Sequence, residues 1–145
     1  MEPLFLDTWA FVAHFNAAET AKVKWLFEST EPRPLVTSWQ VITETIGFAC
    51  GSRFSAKARD SAMVAGHLKT WMEREFFVVE HCTEDQMRQA LELRVRHRDV
   101  ALVDCTTAVL CEAHQLRWVV SKDAHLPLGH CARRVRASNS TVRGW

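Results

Sequence analysis

The sequence predicts an α/β fold: three layers, α/β/α, around a central, mostly parallel twisted sheet of four to five strands. Three observations carry this. Short apolar runs recur along the chain, at 4–6, 34–37, 76–79 and 117–120. Stretches with helical spacing of apolar residues separate them. Polar residues close most of the runs. Short buried strands alternating with helices are the pattern of βαβ units, whose right-handed crossovers place helices on both faces of a parallel sheet. With 145 residues and no linker-like or low-complexity stretch, the expectation is a single domain over 1–145.

Leu4-Phe5-Leu6 reads as the first strand and stops at Asp7-Thr8. Helices are expected over 8–16 and 19–29. Pro34-Leu35-Val36-Thr37 is a second strand. Ser38 can cap the helix after it, which carries Val41, Ile42, Ile46 and Phe48 toward Gly51. A long helix is expected over 54–74, with Ala62, Met63, Ala65, Leu68 and Trp71 on one face. Phe76-Phe77-Val78-Val79 is a third strand. Thr83 with Gln86 three residues on forms a capping-box pattern that opens a helix to about Arg96. Val100-Ala101-Leu102-Val103 leads to Asp104, expected to open a helix running to about Gln115. Arg117-Trp118-Val119-Val120 is a fourth strand, and Val135 marks a short last one.

Composition narrows the function. There are 18 Lys+Arg against 17 Asp+Glu, a net charge of +1. That excludes a strongly basic nucleic-acid coat and an acidic tail, but not a locally charged site. Arg occurs 13 times and Lys 5; Glu occurs 11 times and Asp only 6. Arg suits phosphate, because its planar fork bonds two oxygens together. Five cysteines, with no Cys-x-x-Cys pair, read as reduced buried thiols rather than a zinc site. No stretch approaches a membrane span, and the first residues make a poor signal peptide. The expected compartment is the cytoplasm.

Ligands of open parallel sheets bind at the carboxyl ends of the strands. Acids collect there. Asp7 follows the first strand, Asp123 lies just past the fourth, and Asp104 begins a helix. Glu44 lies on a helix face with Val41 and Phe48 as its i−3 and i+4 neighbours. Taken singly, Asp7 and Asp104 read as helix N-caps, Asp123 as a turn residue and Glu44 as a snorkelling or paired acid. Taken together, four acids converging on one crevice repel one another unless a cation neutralises them. Hard oxygen ligands suit Mg²⁺, with Mn²⁺ as a substitute, and that chemistry fits metal-assisted phosphodiester hydrolysis.

The residues at these positions resemble the PIN-domain family, in particular its VapC-type toxin ribonucleases. FLDTWAFVA resembles the family's opening strand with its Asp-Thr pair. VALVDCTTAVLCEAHQLRWVVSKDAHL resembles its third-acid helix, next strand and closing acid. LVTSWQVITETIGF supplies a hydroxyl-rich strand exit and a helical Glu. The resemblance implies that Asp7, Glu44, Asp104 and Asp123 form the catalytic and metal-binding quartet. Asp7 and Asp104 would be the core Mg²⁺ ligands, and Thr8 would orient the first Asp. It implies an endoribonuclease that leaves a 5′-phosphate and a 3′-hydroxyl. It further implies a type II toxin–antitoxin system, with a small antitoxin protein as partner, RNA as substrate and a homodimer. The apolar face around residues 58–72 is the expected dimer surface. Trp9 stands where the family often has a small hydroxyl residue, and Ala124-His125-Leu126 stands where an aromatic usually follows the last acid.

Lesser signals are weighed beside this. Asp99 can serve an outer shell, although it reads first as a solvated loop acid. Two basic runs, Arg94 to Arg98 and Arg133 to Arg143, suit RNA phosphates or plain solvation. The Trp residues have core spacing, which favours packing over base stacking. His125 reads as a turn histidine. The alternatives to a nuclease are a non-catalytic PIN-fold binding module and a receiver-like α/β signalling domain. No Walker loop or Gly-x-Ser-x-Gly elbow is present.

Overall fold

Leu4, Phe5 and Leu6 form β1 (Leu4–Leu6), and all three are fully buried. A strand with no exposed face belongs in the middle of a covered parallel sheet, and β1 is found there. It pairs in parallel with β2 (Leu35–Ser38) on one side and β4 (Trp118–Val120) on the other. Outside β2 lies β3 (Phe77–Glu80), and outside β4 lies β5 (Arg133–Val135). The order is β3-β2-β1-β4-β5, and every pairing is parallel. The computed structural model describes residues 2–28, 33–50, 61–122 and the backbone of 133–135.

This order fixes where a ligand can sit. The chain runs outward from β1 to β2 and β3, then crosses back to the far side of β1 to lay down β4. The β1–β4 seam is therefore the topological switch point, where connections leave in opposite directions and open a crevice at the carboxyl ends. A receiver-like topology has the order 2-1-3-4-5, so the observed order removes that alternative.

The helices are α1 (Thr8–Phe15), α2 (Thr20–Phe27), α3 (Trp39–Ala49), α4 (Ser61–Met72), α5 (Glu84–Arg96) and α6 (Leu102–Ala113). Two start as their sequences dictate. Ser38 Oγ accepts the Val41 N–H at 3.2 Å to cap α3. Thr83 and Gln86 form the full reciprocal box on α5, at 3.1 and 2.8 Å. The end of α6 is a Schellman turn, with Gln115 at φ 53° where glycine is usual. The Leu116 N–H donates to the Cys111 carbonyl at 2.8 Å, and the turn leads the chain into β4. No helix among the described residues is long and apolar enough to cross a membrane.

The main core joins β1 to α1, α2 and α4. Phe27 stacks on Trp71 at 4.6 Å, and Phe11 lies 5.8 Å from Trp71. Each fully buried Phe or Leu here contributes about 1.5–3 kcal/mol of transfer free energy. A second, small cluster of Ala90, Val100, Cys105 and Val109 holds α5 against α6.

Four expectations need correction. Asp104 does not open α6: the helix begins at Leu102 with Ala101 as its cap, so Asp104 lies in the first turn. The core face of α4 is Val64, Leu68 and Trp71, at spacings of four and three; Ala62, Met63 and Ala65 are exposed. Leu68 and Trp71 are thus occupied by the chain's own core rather than offered at the surface around 58–72. Of the described cysteines only Cys105 and Cys111 are buried, while Cys50 is exposed and Cys82 is intermediate. The expected N-terminal part of the long helix, up to residue 60, lies outside the described residues, as does His125.

Candidate active site

The parallel register brings two strand exits side by side. Leu6 pairs with Val120, and the Asp7 N–H continues the ladder by donating to the Val120 carbonyl at 3.2 Å. Asp7 and Ser121 are therefore neighbours at the seam. Ser121 Oγ donates to Asp7 Oδ2 at 2.7 Å, and both residues are almost fully buried, at 3% and 2% exposure. Asp7 occupies the N-cap position of α1, with extended backbone at φ −80° and ψ 166°, yet its side chain makes no capping hydrogen bond. The carboxylate is directed to the seam instead of to the helix. The capping explanation of Asp7 fails on that observation.

Asp7 opens onto a cleft of about 340 Å³. Glu44 from α3 and Asp104 from α6 line it too, with Thr8, Trp9, Val12, Phe48, Ser121 and Lys122. Three of the four expected acids thus meet at one cleft at the switch point. Both Glu44 and Asp104 are half-buried. The fourth, Asp123, lies outside the described residues. Asp99 is exposed and does not line the cleft.

Burial and the charges of the cleft are felt by its neighbours. Burial, and then the Asp7 carboxylate, push the Cys111 thiol far above its ordinary range. Burial and the neighbouring carboxylate thus favour the neutral thiol at Cys111, as in an inert buried cysteine. Burial and the Asp104 carboxylate raise Cys105 as well, against a smaller opposing effect of Arg94.

The donor set of the cleft has the chemistry of a hard-cation site. Its oxygens come from carboxylates and two hydroxyls, with no thiolate or imidazole lining the cleft among the described residues, and this is the set such an ion prefers. A carboxylate as buried as Asp7 is costly as an anion, and a cation at the cleft would lower that cost. Both points fit. Among the described residues, however, no three His, Cys, Asp or Glu side chains stand close enough together to hold an ion. The described acids line the cleft without closing on a common point.

Two cleft residues were not anticipated. Ser121, rather than Thr8, makes the hydrogen bond to Asp7; Thr8 Oγ1 is buried and has no hydrogen-bond partner among the described residues. The Ser-x-Asp spacing at 121–123 was the available signal, but its meaning depends on a register across 114 residues. Lys122 places a cation at the rim of an acidic cleft.

A parallel α/β fold with carboxylates lining a cleft at its switch point defines a class of open-sheet ligand sites. Within that class the chain is specific. A family model described as the PIN domain matches residues 4–128, and the chain belongs to that family. Among solved structures it is similar to Mycobacterium tuberculosis VapC20, described as a toxin that cleaves the sarcin–ricin loop. The identity is 26% over 85% of this chain and 92% of that one, with a TM-score of 0.69. A toxin–antitoxin complex from Klebsiella pneumoniae shares the fold at 16% identity, covering 92% and 97% of the two chains with a TM-score of 0.63. A Pyrobaculum aerophilum protein shares it at 23% identity, covering 92% and 90%, with a TM-score of 0.58. Among curated proteins none is significantly similar in sequence.

Proposed function

We propose that this chain is a divalent-metal-dependent endoribonuclease and the toxin of a type II toxin–antitoxin pair. The observation that carries the reading is the meeting of Asp7, Glu44 and Asp104, from three separate elements, at one cleft on the switch point of a PIN-family fold. The similarity to a solved RNA-cleaving toxin supports RNA as the substrate. The similarity to a toxin–antitoxin complex supports a small antitoxin as partner. A cytoplasmic homodimer is the expected working form.

Asp7 and Asp104 would hold Mg²⁺, or Mn²⁺ in its place, with Glu44 and Asp123 completing the set directly or through water. When bound, the ion would supply Lewis-acid stabilisation of the phosphate and an activated water. Asp7 is kept in one orientation by Ser121, whose short hydrogen bond removes a rotamer choice at the centre of the site. Burial of Asp7 keeps bulk water from competing for its oxygens. Lys122 at the rim can draw the RNA backbone toward an otherwise acidic cleft. Hydrolysis forms a bond from water oxygen to phosphorus and breaks the P–O3′ bond. One fragment carries a 5′-phosphate and the other a 3′-hydroxyl.

The charge distribution agrees. Removing the four acids leaves 17 − 4 = 13 against 18 bases, so the rest of the chain carries +5, a sign suited to a phosphate backbone. The test is cleavage of a panel of structured RNAs with Mg²⁺, Mn²⁺ or EDTA. Cleavage is expected with metal and is expected to be lost in EDTA and in Asp104→Asn. Cleavage that persists unchanged in both overturns the metal-nuclease reading. The spread of the described acids favours a second reading, a PIN-fold module that binds without cutting. RNA binding without cleavage under every metal condition would establish that one.

A further inference from the structure

We infer that Trp39 and the hollow beside it form a nucleobase-stacking subsite next to the acidic cleft, an inference that rests on the RNA reading above. The hollow, of about 450 Å³, is lined by Trp39, Gln40, Thr43, Glu44 and Val103. Glu44 lines the acidic cleft as well, so the two depressions meet at that residue, and a strand lying across Glu44 would reach both. Trp39 and Glu44 are separated by five residues of α3, or about 7.5 Å of helix rise.

Trp39 is unlike the other described tryptophans. Trp71 is 5% exposed, and Trp9, Trp25 and Trp118 pack against the main core. Trp39 is 37% exposed and belongs to neither hydrophobic cluster. Its indole is nonetheless fixed in place. Trp39 Nε1 donates to His81 Nε2 at 2.9 Å, and the two rings lie 5.7 Å apart with a 42° tilt. An indole held by its N–H at the surface keeps its π-face available with little rotamer freedom left to lose on binding. Flat rigid aromatics beside a phosphate-handling groove are how proteins take hold of single-stranded RNA, because every base has a face to stack. Thr43 supplies a hydroxyl for a base edge while donating to the Trp39 carbonyl at 2.8 Å.

The probe is a short fluorescein-labelled single-stranded RNA of mixed sequence, compared with versions that lack one base at a time. Binding is measured by anisotropy with Mg²⁺ on an Asp104→Asn background, so that affinity is read without cutting. Trp39→Ala is expected to bind the intact strand about ten-fold more weakly, which is about 1.4 kcal/mol and within the range for one stacked base. Trp39→Phe should recover most of that. On the strand lacking the stacked base, Asp104→Asn with and without Trp39→Ala should bind equally. Unchanged binding by Trp39→Ala overturns the subsite and leaves the hollow to a protein partner. An equal loss on every abasic strand also overturns it, because the effect is then not stacking. Absence of RNA binding by any form overturns the subsite and the RNA reading together. A base-dependent Trp39 effect in a protein that never cleaves keeps the subsite and removes only the nuclease. His81→Ala, which frees the indole without removing it, should weaken binding less than Trp39→Ala.

Discussion

The starts of α1 and α5 present the same local problem and solve it in opposite ways. Each helix leaves backbone N–H groups without helical partners, and each has a preferred capping residue in place. At α5 the cap is used: Thr83 and Gln86 bind back to the backbone on an exposed helix end. At α1 Asp7 stands in the cap position with the right backbone angles, but its carboxylate goes to Ser121 and the cleft. One polar side chain serves the helix; the other is withdrawn from it. A polar group with an obvious local use that it does not make is a stronger pointer to function than an acid in a loop.

Replacing the two caps should separate the roles cleanly. The largest effect is expected at Asp7. Asp7→Asn should lower RNA cleavage by about a thousand-fold, since several kcal/mol of transition-state stabilisation would go with the ligand. Its melting temperature should be unchanged or higher, because a buried charge among acids is removed. A stable Asp7→Asn protein with full activity would erase the contrast. Ser121→Ala should be intermediate. It takes away a hydrogen bond to a charged, buried group, which costs about 1–3 kcal/mol, and denaturant unfolding should register that. Its cleavage should fall by about ten-fold, with more metal needed for half-maximal rate.

Acid sensitivity is a third discriminator. Burial, then the nearby His67, hold His14 below its ordinary pKa of 6.5, with Glu28 acting in the opposite sense. The unfolded chain therefore takes up this proton first. Stability should fall as pH drops through about 6.5 toward the lower folded value, and be fully present above it. Thermal melts of His14→Gln should show a smaller fall between neutral and mildly acid pH. If the slope is the same in His14→Gln, acid sensitivity originates at the cleft instead. The smallest effect belongs to Thr83→Ala: about 1 kcal/mol of stability lost, read by denaturant unfolding, with cleavage untouched.

The same contrast explains what the sequence could and could not reveal. Local signals were legible. The apolar run of β1, the Ser38 cap and the Thr83–Gln86 box all appear as expected, because each is decided within four residues. The start of α6 was misplaced because Leu102 and Val103 continue an apolar run, and burial alone does not separate strand from helix. The face of α4 was misassigned for a similar reason: alanine and methionine are apolar enough to blur which stripe is buried. Three candidate acids were found, Asp7 from its place after a strand, Asp104 from its place near a helix start and Glu44 from its helix face, and the cleft gathers them. Ser121 was not found. A serine after a strand is ordinary until the register sets it against Asp7.

The β1–β4 seam has one more consequence, for timing. Asp7 is synthesised 114 positions ahead of its hydrogen-bond partner. Contacts of such long sequence separation form late, after most of the chain has been made and much of the core has assembled. A nascent or truncated chain ending before β4 carries Asp7, Glu44 and Asp104 but has no seam to gather them. A cleft split this way across the chain cannot work in fragments. If the chain cuts RNA as proposed, copies that end before β4 are expected to be harmless to the cell that makes them.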